Sequence, residues 1–181
     1  RYRRVLSQRN SALKQGLGTR EWDENFIQTA TVVHSARSRY VKLLNNCLKG
    51  LGETLLGSPV ESNYRSGWAA GNSLSEALNA SYNRDRAAGL THVGPHRADM
   101  FVSLDARGVR EEVSRGQQKL VAAALILAQV RVFASNRPDG GVLLVDDPAA
   151  ELDETALEAL LGALDGLPAQ LILTGLSRER L

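Results

Sequence analysis

The segment VLLVDDPAAELD, from Val142 to Asp153, decides how the chain is read. It opens on a short continuous apolar run, the pattern of a central parallel strand covered on both faces. Two adjacent carboxylates follow, then a proline and two further acids. Downstream, Glu154 to Leu164 has the spacing of a helix and QLILT at 170–174 reads as a second strand. Strand, helix and strand make one unit, expected to cross over right-handed into a single sheet. In open α/β sheets ligands collect beyond the carboxyl ends of the strands, which is where Asp146 and Asp147 would stand. Two readings of the pair are open. Both acids could simply cap the turn before Pro148. Alternatively they receive a divalent cation, because neighbouring like charges raise the cost of ionising both and a bound Mg²⁺ removes that cost. One acid then holds the metal, directly or through water, while the next orients a nucleophilic water.

Upstream, SRGQQKLVAAALILAQVRVFAS begins at Ser114, a residue suited to cap a helix that is apolar almost all round and hence expected to be buried. A serine hydroxyl, a glycine at 116, free N–H groups and the positive end of a helix together make a seat for phosphate. The plainer alternative is an ordinary N-cap with a polar first turn.

The first half has a different texture. A helix is expected from about Tyr2 to Lys14, with GLG at 16–18 as its break. From Trp22 to about Leu51 a long helix carries a heptad stripe of Phe26, Ala30, Val33, Arg37, Tyr40, Leu44, Cys47 and Leu51, with Arg37 its one interruption. After GSP at 57–59, VESNYRSGW suits a strand, and Ser75 opens a further helix to about Ala88. Residues 1–89 therefore form a helical arm, and residues 90–181 part of an α/β domain. In the latter, THVGPHRADMFVSLD and GVREEV look like extended segments joined by a turn at ARG. His96 could donate to a backbone carbonyl within that hairpin with Arg97 pairing to Asp99, or either could lie near phosphate or DNA. His92 and His96, on a strand, could not share a helix face as a metal pair.

Composition narrows the classes. With 181 residues and 43% hydrophobic content the chain can bury a core and is not a disordered tail. A net charge of +2 does not diagnose nucleic acid or membrane binding. One cysteine, Cys47, rules out an internal disulfide, three histidines offer no zinc-spaced set, and a reducing, cytoplasmic setting follows. The longest apolar stretch, Leu120 to Ala134, falls short of the roughly 20 residues a membrane span needs. Arginines cluster at Arg1, Arg3 and Arg4, at Arg37 and Arg39, and at Arg84 and Arg86. They are a solvated surface or, if on one face, a contact for DNA backbone. The opening RYRRVLSQRN has no initiator methionine and is already in helical pattern, so the chain is expected to start inside a longer protein.

Taken in order, SRGQQKL, VLLVDD, AAELD, GPHRAD at 94–99 and the opening RVLSQRNSALKQG resemble the ABC-type ATPase head of the SMC-like group, and most closely the RecF family. The resemblance covers almost the entire chain and implies a partial ABC-type head, related to P-loop NTPases, with an inserted helical arm. It implies that Ser114, Arg115, Gly116 and Gln117 form the signature facing the γ-phosphate of ATP held by a second subunit. Asp146 would take the Mg²⁺ role, Asp147 would polarise water, and Ala150 to Asp153 would act across the dimer interface, with Asp153 near the nucleotide. Further implications are an ATP-gated homodimer on single-stranded or gapped DNA, partnership with recombination mediator proteins, and recombinase loading in DNA repair, replication and the SOS response. Two departures stand out. Where many ABC ATPases carry a switch histidine after the next strand, LILTGL offers only Thr174. No G-x-x-x-x-G-K-[ST] phosphate loop occurs in the 181 residues, so the chain alone is expected to be inactive and the full-length protein a weak ATPase. The competing readings are the nucleotide-binding subunit of a membrane transporter, and an interaction module without activity. The heptad arm and a signature without a double glycine speak against the transporter.

Overall fold

A computed structural model describes all residues except Asn136, Pro138, Asp139 and 176–181. Its elements run α1 (Tyr2–Lys14), α2 (Arg20–Leu56), β1 (Val60–Arg65), α3 (Leu74–Ala88), a 3₁₀ turn (Pro95–Arg97), β2 (Asp99–Leu104), β3 (Arg107–Gly108), α4 (Arg115–Ala134), β4 (Val142–Val145), α5 (Pro148–Glu151), α6 (Glu154–Leu164) and β5 (Gln170–Leu173). The result is a mixed helix and sheet fold. The described chain divides into two compact units, one of residues 1–40 and 64–101, the other of residues 41–63 and 102–181. These units are not the two halves expected from the change in texture at residue 89, because α2, β1 and β2 each pass through both.

The 37-residue helix α2 explains that threading. Its buried apolar positions are Phe26, Ala30, Val41, Leu44, Leu48, Leu51 and Leu55. From Val41 to Leu55 the three-four spacing is kept, but Val41 and Leu48 take the positions expected for Tyr40 and Cys47. Two heptad assignments are corrected accordingly: Tyr40 is 41% exposed and Val41 buried in its place, and Leu48 replaces Cys47 at the centre. Phe26 and Ala30 join Val5, Leu74 and Leu78 in the first unit's core. Leu44 to Leu55 join Val121, Ala124, Leu127, Leu160 and Leu164 in the second.

In the first unit, α3 is capped two residues earlier than Ser75 suggests. Ser73 is its N-cap, in a capping box with Glu76, because the serine oxygen there accepts from the N3 amide. The helix ends at Gly89 in the left-handed conformation. What polarity marks as surface is here interior: Arg9 is 0% exposed. Its Nε donates to Asp23 at 2.8 Å, and its Nη1 to Asp85 at 3.0 Å and Thr91 at 2.7 Å. One guanidinium thus ties α1 to α2, α3 and the segment after α3. Residues 91–98 are not strand: His92 takes Asp85 through both its amide and its ring Nδ1. Gly67 sits at φ 91°, and a Cβ there would lie 2.2 Å from the Gly94 carbonyl oxygen, so only glycine lets these two backbones meet.

In the second unit the β2–β3 hairpin turns at Asp105 and Ala106, both at positive φ (50° and 62°), with Leu104 opposite Arg107. This is a two-residue turn of the primed type, one position before the expected ARG, and β3 stops at Gly108 instead of continuing through VREEV. β4 and β5 pair in parallel, Val145 opposite Leu173, as the strand, helix, strand reading requires. Among the described residues, however, β4 is not covered on both faces. Leu143 and Val145 pack on the core, whereas Val142 is 60% and Leu144 69% exposed, together with Ile172 on β5. α4 is likewise one-sided: Ile126 and Phe133 are each 50% exposed. No helix is long and apolar enough to cross a membrane among the described residues.

Candidate functional site

The segment from Ser114 to Gln117 opens α4 with the capping geometry its residues suggest. Ser114 has extended backbone and caps α4: its Oγ accepts from the Gln117 amide at 3.2 Å, and the Gln117 side chain accepts from the Ser114 amide at 3.0 Å. The cap uses the serine oxygen as an acceptor, and among the described residues its own proton meets no acceptor. The ordinary N-cap is therefore present, and the first turn also stays open to solvent with Ser114, Arg115 and Gly116 exposed. A Cβ at Gly116 would meet nothing within 4 Å, so the fold supplies no steric reason for glycine in a helical turn, where glycine costs roughly 1 kcal/mol relative to alanine. Gln118 turns inward, its amide donating to the Val109 carbonyl at 3.1 Å and so fastening the loop that leads into the cap.

The two acids stand at the carboxyl end of β4. Asp146 is exposed, and its Oδ1 accepts from the Thr174 hydroxyl at the end of β5. Asp147 is half-buried at φ 38°, ψ 57°, a left-handed conformation that aspartate tolerates better than most residues. It occupies the N-cap position of α5, yet its side chain makes no capping bond; its amide instead donates to the Thr174 carbonyl at 3.1 Å. The simple capping reading thus fails for the carboxylate of Asp147. Among the described residues, no backbone amide donates to either carboxylate. No cluster of three or more His, Cys, Asp or Glu able to hold a metal occurs among the described residues. Two carboxylates and a hydroxyl suit Mg²⁺, a hard cation that binds through one or two carboxylates and takes its remaining ligands from water and phosphate.

Lys119 links the two motifs. Its Nζ pairs with the Glu151 carboxylate and donates to the Glu151 carbonyl at 3.0 Å, tying the second turn of α4 to the end of α5. The lysine holds the Glu151 carboxyl below the usual carboxylate range. Asp153, expected near nucleotide, has a structural duty: its carboxylate accepts from the Ala156 amide at 2.9 Å and caps α6. Neither Lys119 nor Thr174 was singled out for these contacts by the sequence, which holds no local signal for them. The last residue of LILTGL, Leu176, lies outside the described residues.

GPHRAD belongs to the first unit. His96 Nε2 donates to the Thr91 carbonyl at 2.9 Å, which leaves Nδ1 as the acceptor for the Tyr2 hydroxyl at 2.7 Å. Burial pushes His96 below the usual histidine value and Tyr2 up to about 12. The histidine is therefore committed to the fold. Arg37, the interruption in the α2 stripe, donates to the Pro95 carbonyl at 2.6 Å in the same turn. No ion pair joins Arg97 to Asp99 among the described residues. Arg1, Arg3, Arg4, Arg39, Arg84 and Arg86 are exposed on the first unit.

No family model matches the chain. The DNA replication and repair protein RecF of Thioalkalivibrio sulfidiphilus is 38% identical over 184 residues, covering 99% of this chain and 51% of that protein. RecF of Teredinibacter turnerae is 36% identical, covering 97% and 49%. The chain spans about half the length of the curated relatives it matches. A solved structure of the recombination mediator protein RecF-ATPrS in the RecFOR pathway superposes with a TM-score of 0.80 at 25% identity, over 98% of this chain and 52% of that one. The corresponding RecF-ATP structure gives 0.82 at 24% identity, a likeness of fold. By sequence and by fold together, the chain is a homologue of about half of the DNA replication and repair protein RecF.

Proposed function

We propose that this chain supplies the signature and acid-pair portion of an ATP-dependent DNA-binding protein of recombinational repair and replication. The observation that carries the proposal is the match to RecF over nearly the whole chain, joined to a strand end where Asp146 and Asp147 stand outside the core. Solved RecF relatives hold ATP or ATPrS, which supports a triphosphate as ligand. In this reading the exposed turn of Ser114, Arg115, Gly116 and Gln117 closes on the γ-phosphate held by a second copy. Its amides and the positive helix end meet the phosphate. Asp146 holds Mg²⁺ and Asp147 orients the attacking water; Ala150 to Asp153 face the partner copy. Mg²⁺, when bound, neutralises phosphate charge and fixes the phosphate oxygens. Closure around DNA would then be gated by ATP, with recombination mediators as partners. The exposed arginines of the first unit are available to backbone phosphates, a contact that weakens steeply with salt.

The test is nucleotide-dependent dimerisation of the complete natural protein that carries this chain. Ser114→Arg should abolish ATP-induced dimers while leaving ATP binding to the monomer intact. Asp147→Asn should slow turnover with ATP binding preserved, and Asp146→Asn should weaken Mg²⁺-dependent binding as well. Dimers that persist in Ser114→Arg would remove the signature assignment, and equal effects from the two acids would remove the division of roles.

A further inference from the structure

The parallel register sets Val145 beside Leu173, so the next residue of each strand emerges at the same end of the sheet. Thr174 is thereby placed against both acids. Its amide donates to the Val145 carbonyl at 3.0 Å, which extends the ladder and fixes its backbone. Its hydroxyl then does two things at once: it donates to Asp146 Oδ1 at 2.5 Å and accepts from the Asp147 amide, 3.2 Å away. A hydroxyl has one proton and two lone pairs, so both bonds are satisfied together, and an ionised carboxylate can only accept. The direction of each bond is therefore settled by chemistry. The Asp147 amide also reaches the Thr174 carbonyl at 3.1 Å, so the backbone link between strand ends survives loss of the hydroxyl.

We propose that Thr174 is the positioning residue of the acid pair: its hydroxyl holds one oxygen of Asp146 toward β5, so that the other oxygen is the one presented to a divalent cation. The proposal rests on the reading of Asp146 as the metal acid. It gives Thr174 a task at the metal side of the site, distinct from the water-positioning role of a histidine at the same place. Partners that orient a ligand in this way typically contribute tenfold or more to metal affinity. At an exposed site the lower end of that range applies.

The experiment measures Mn²⁺ affinity in the presence of ATP, by electron paramagnetic resonance, in the complete natural protein. Thr174→Val keeps the shape and removes both hydroxyl bonds; it should weaken Mn²⁺ binding about tenfold. Thr174→Ser, which keeps the hydroxyl, should stay within about twofold of wild type. Metal-free ATP binding should be unchanged in both. With Asp146→Ala already present, Thr174→Val should add nothing. If Asp146→Ala weakens the metal and Thr174→Val does not, the positioning role is refuted while the acid assignment stands. An equal loss from Thr174→Val with and without Asp146 would show that it acts through strand packing, which also refutes it. If Asp146→Ala leaves Mn²⁺ affinity intact, the metal reading fails and takes this proposal with it.

Discussion

Replacing Arg9 by methionine tests the interior of the first unit most directly. Methionine fills most of the volume and removes the charge. Arg9 and Asp85 have side-chain exposures of 1% and 0%, so the substitution strands a carboxylate that cannot reach water. Breaking a buried ion pair from one side costs about 3–5 kcal/mol. Two features of the site favour the lower end. Asp23, the second acid on Arg9, is 29% exposed and can rehydrate. Asp85 also keeps the His92 amide at 3.0 Å, the His92 ring Nδ1 at 2.9 Å and the Ser81 hydroxyl at 3.2 Å. About 3 kcal/mol corresponds to roughly a hundredfold in the unfolding equilibrium. The chain's two tryptophans, Trp22 and Trp68, both lie in the first unit, so urea unfolding followed by their fluorescence reports on this unit. Arg9→Lys should cost about 1–2 kcal/mol, since one ammonium cannot reproduce the guanidinium fork. Adding Asp85→Asn to Arg9→Met should recover part of the loss, because it deletes the stranded charge. A loss below about 1 kcal/mol for Arg9→Met, or a double variant weaker than the single, would refute the account of Arg9 as a buried charge clamp.

Lowering the pH should destabilise the first unit through His96. Its value is depressed by burial, so the unfolded chain takes up the proton first as pH falls below about 6.5; stability is lost through that window, and the slope should flatten in His96→Gln, read by urea unfolding at several pH values. Tyr2, raised to about 12, should give the mirror image, with stability falling as pH rises above about 10. Gly116→Ala should leave thermal stability unchanged or raise it by up to about 1 kcal/mol in calorimetry, yet impair ATP-induced dimerisation if that turn faces phosphate; normal dimers would mean the glycine is incidental. Ala106→Gly should stabilise the β2–β3 hairpin by up to about 1 kcal/mol, seen as slower amide exchange at Ser103 and Gly108, because glycine relieves the positive φ of the second turn position.

Sequence alone determined what depends on local pattern. The existence of the main helices, the Ser114 cap and the order of strand, acids, helix and strand follow from periodicity, capping chemistry and spacing. These act over a few residues, so they survive translation into three dimensions. The tertiary structure decided partners and faces. Arg9 meets residues 76 and 82 positions away, and Tyr2 meets His96 across 94. Thr174 meets Asp146 across 28. Such pairs are fixed by which strands lie side by side and which helices cross, and nothing in the neighbouring sequence marks them. The same holds for exposure: an unbroken apolar run says that β4 wants cover, but only the fold shows Leu143 inside and Leu144 outside. Arg37 appears in sequence as a flaw in a stripe. In the structure it is a donor to the Pro95 carbonyl, because the chain's return brings that carbonyl to the helix.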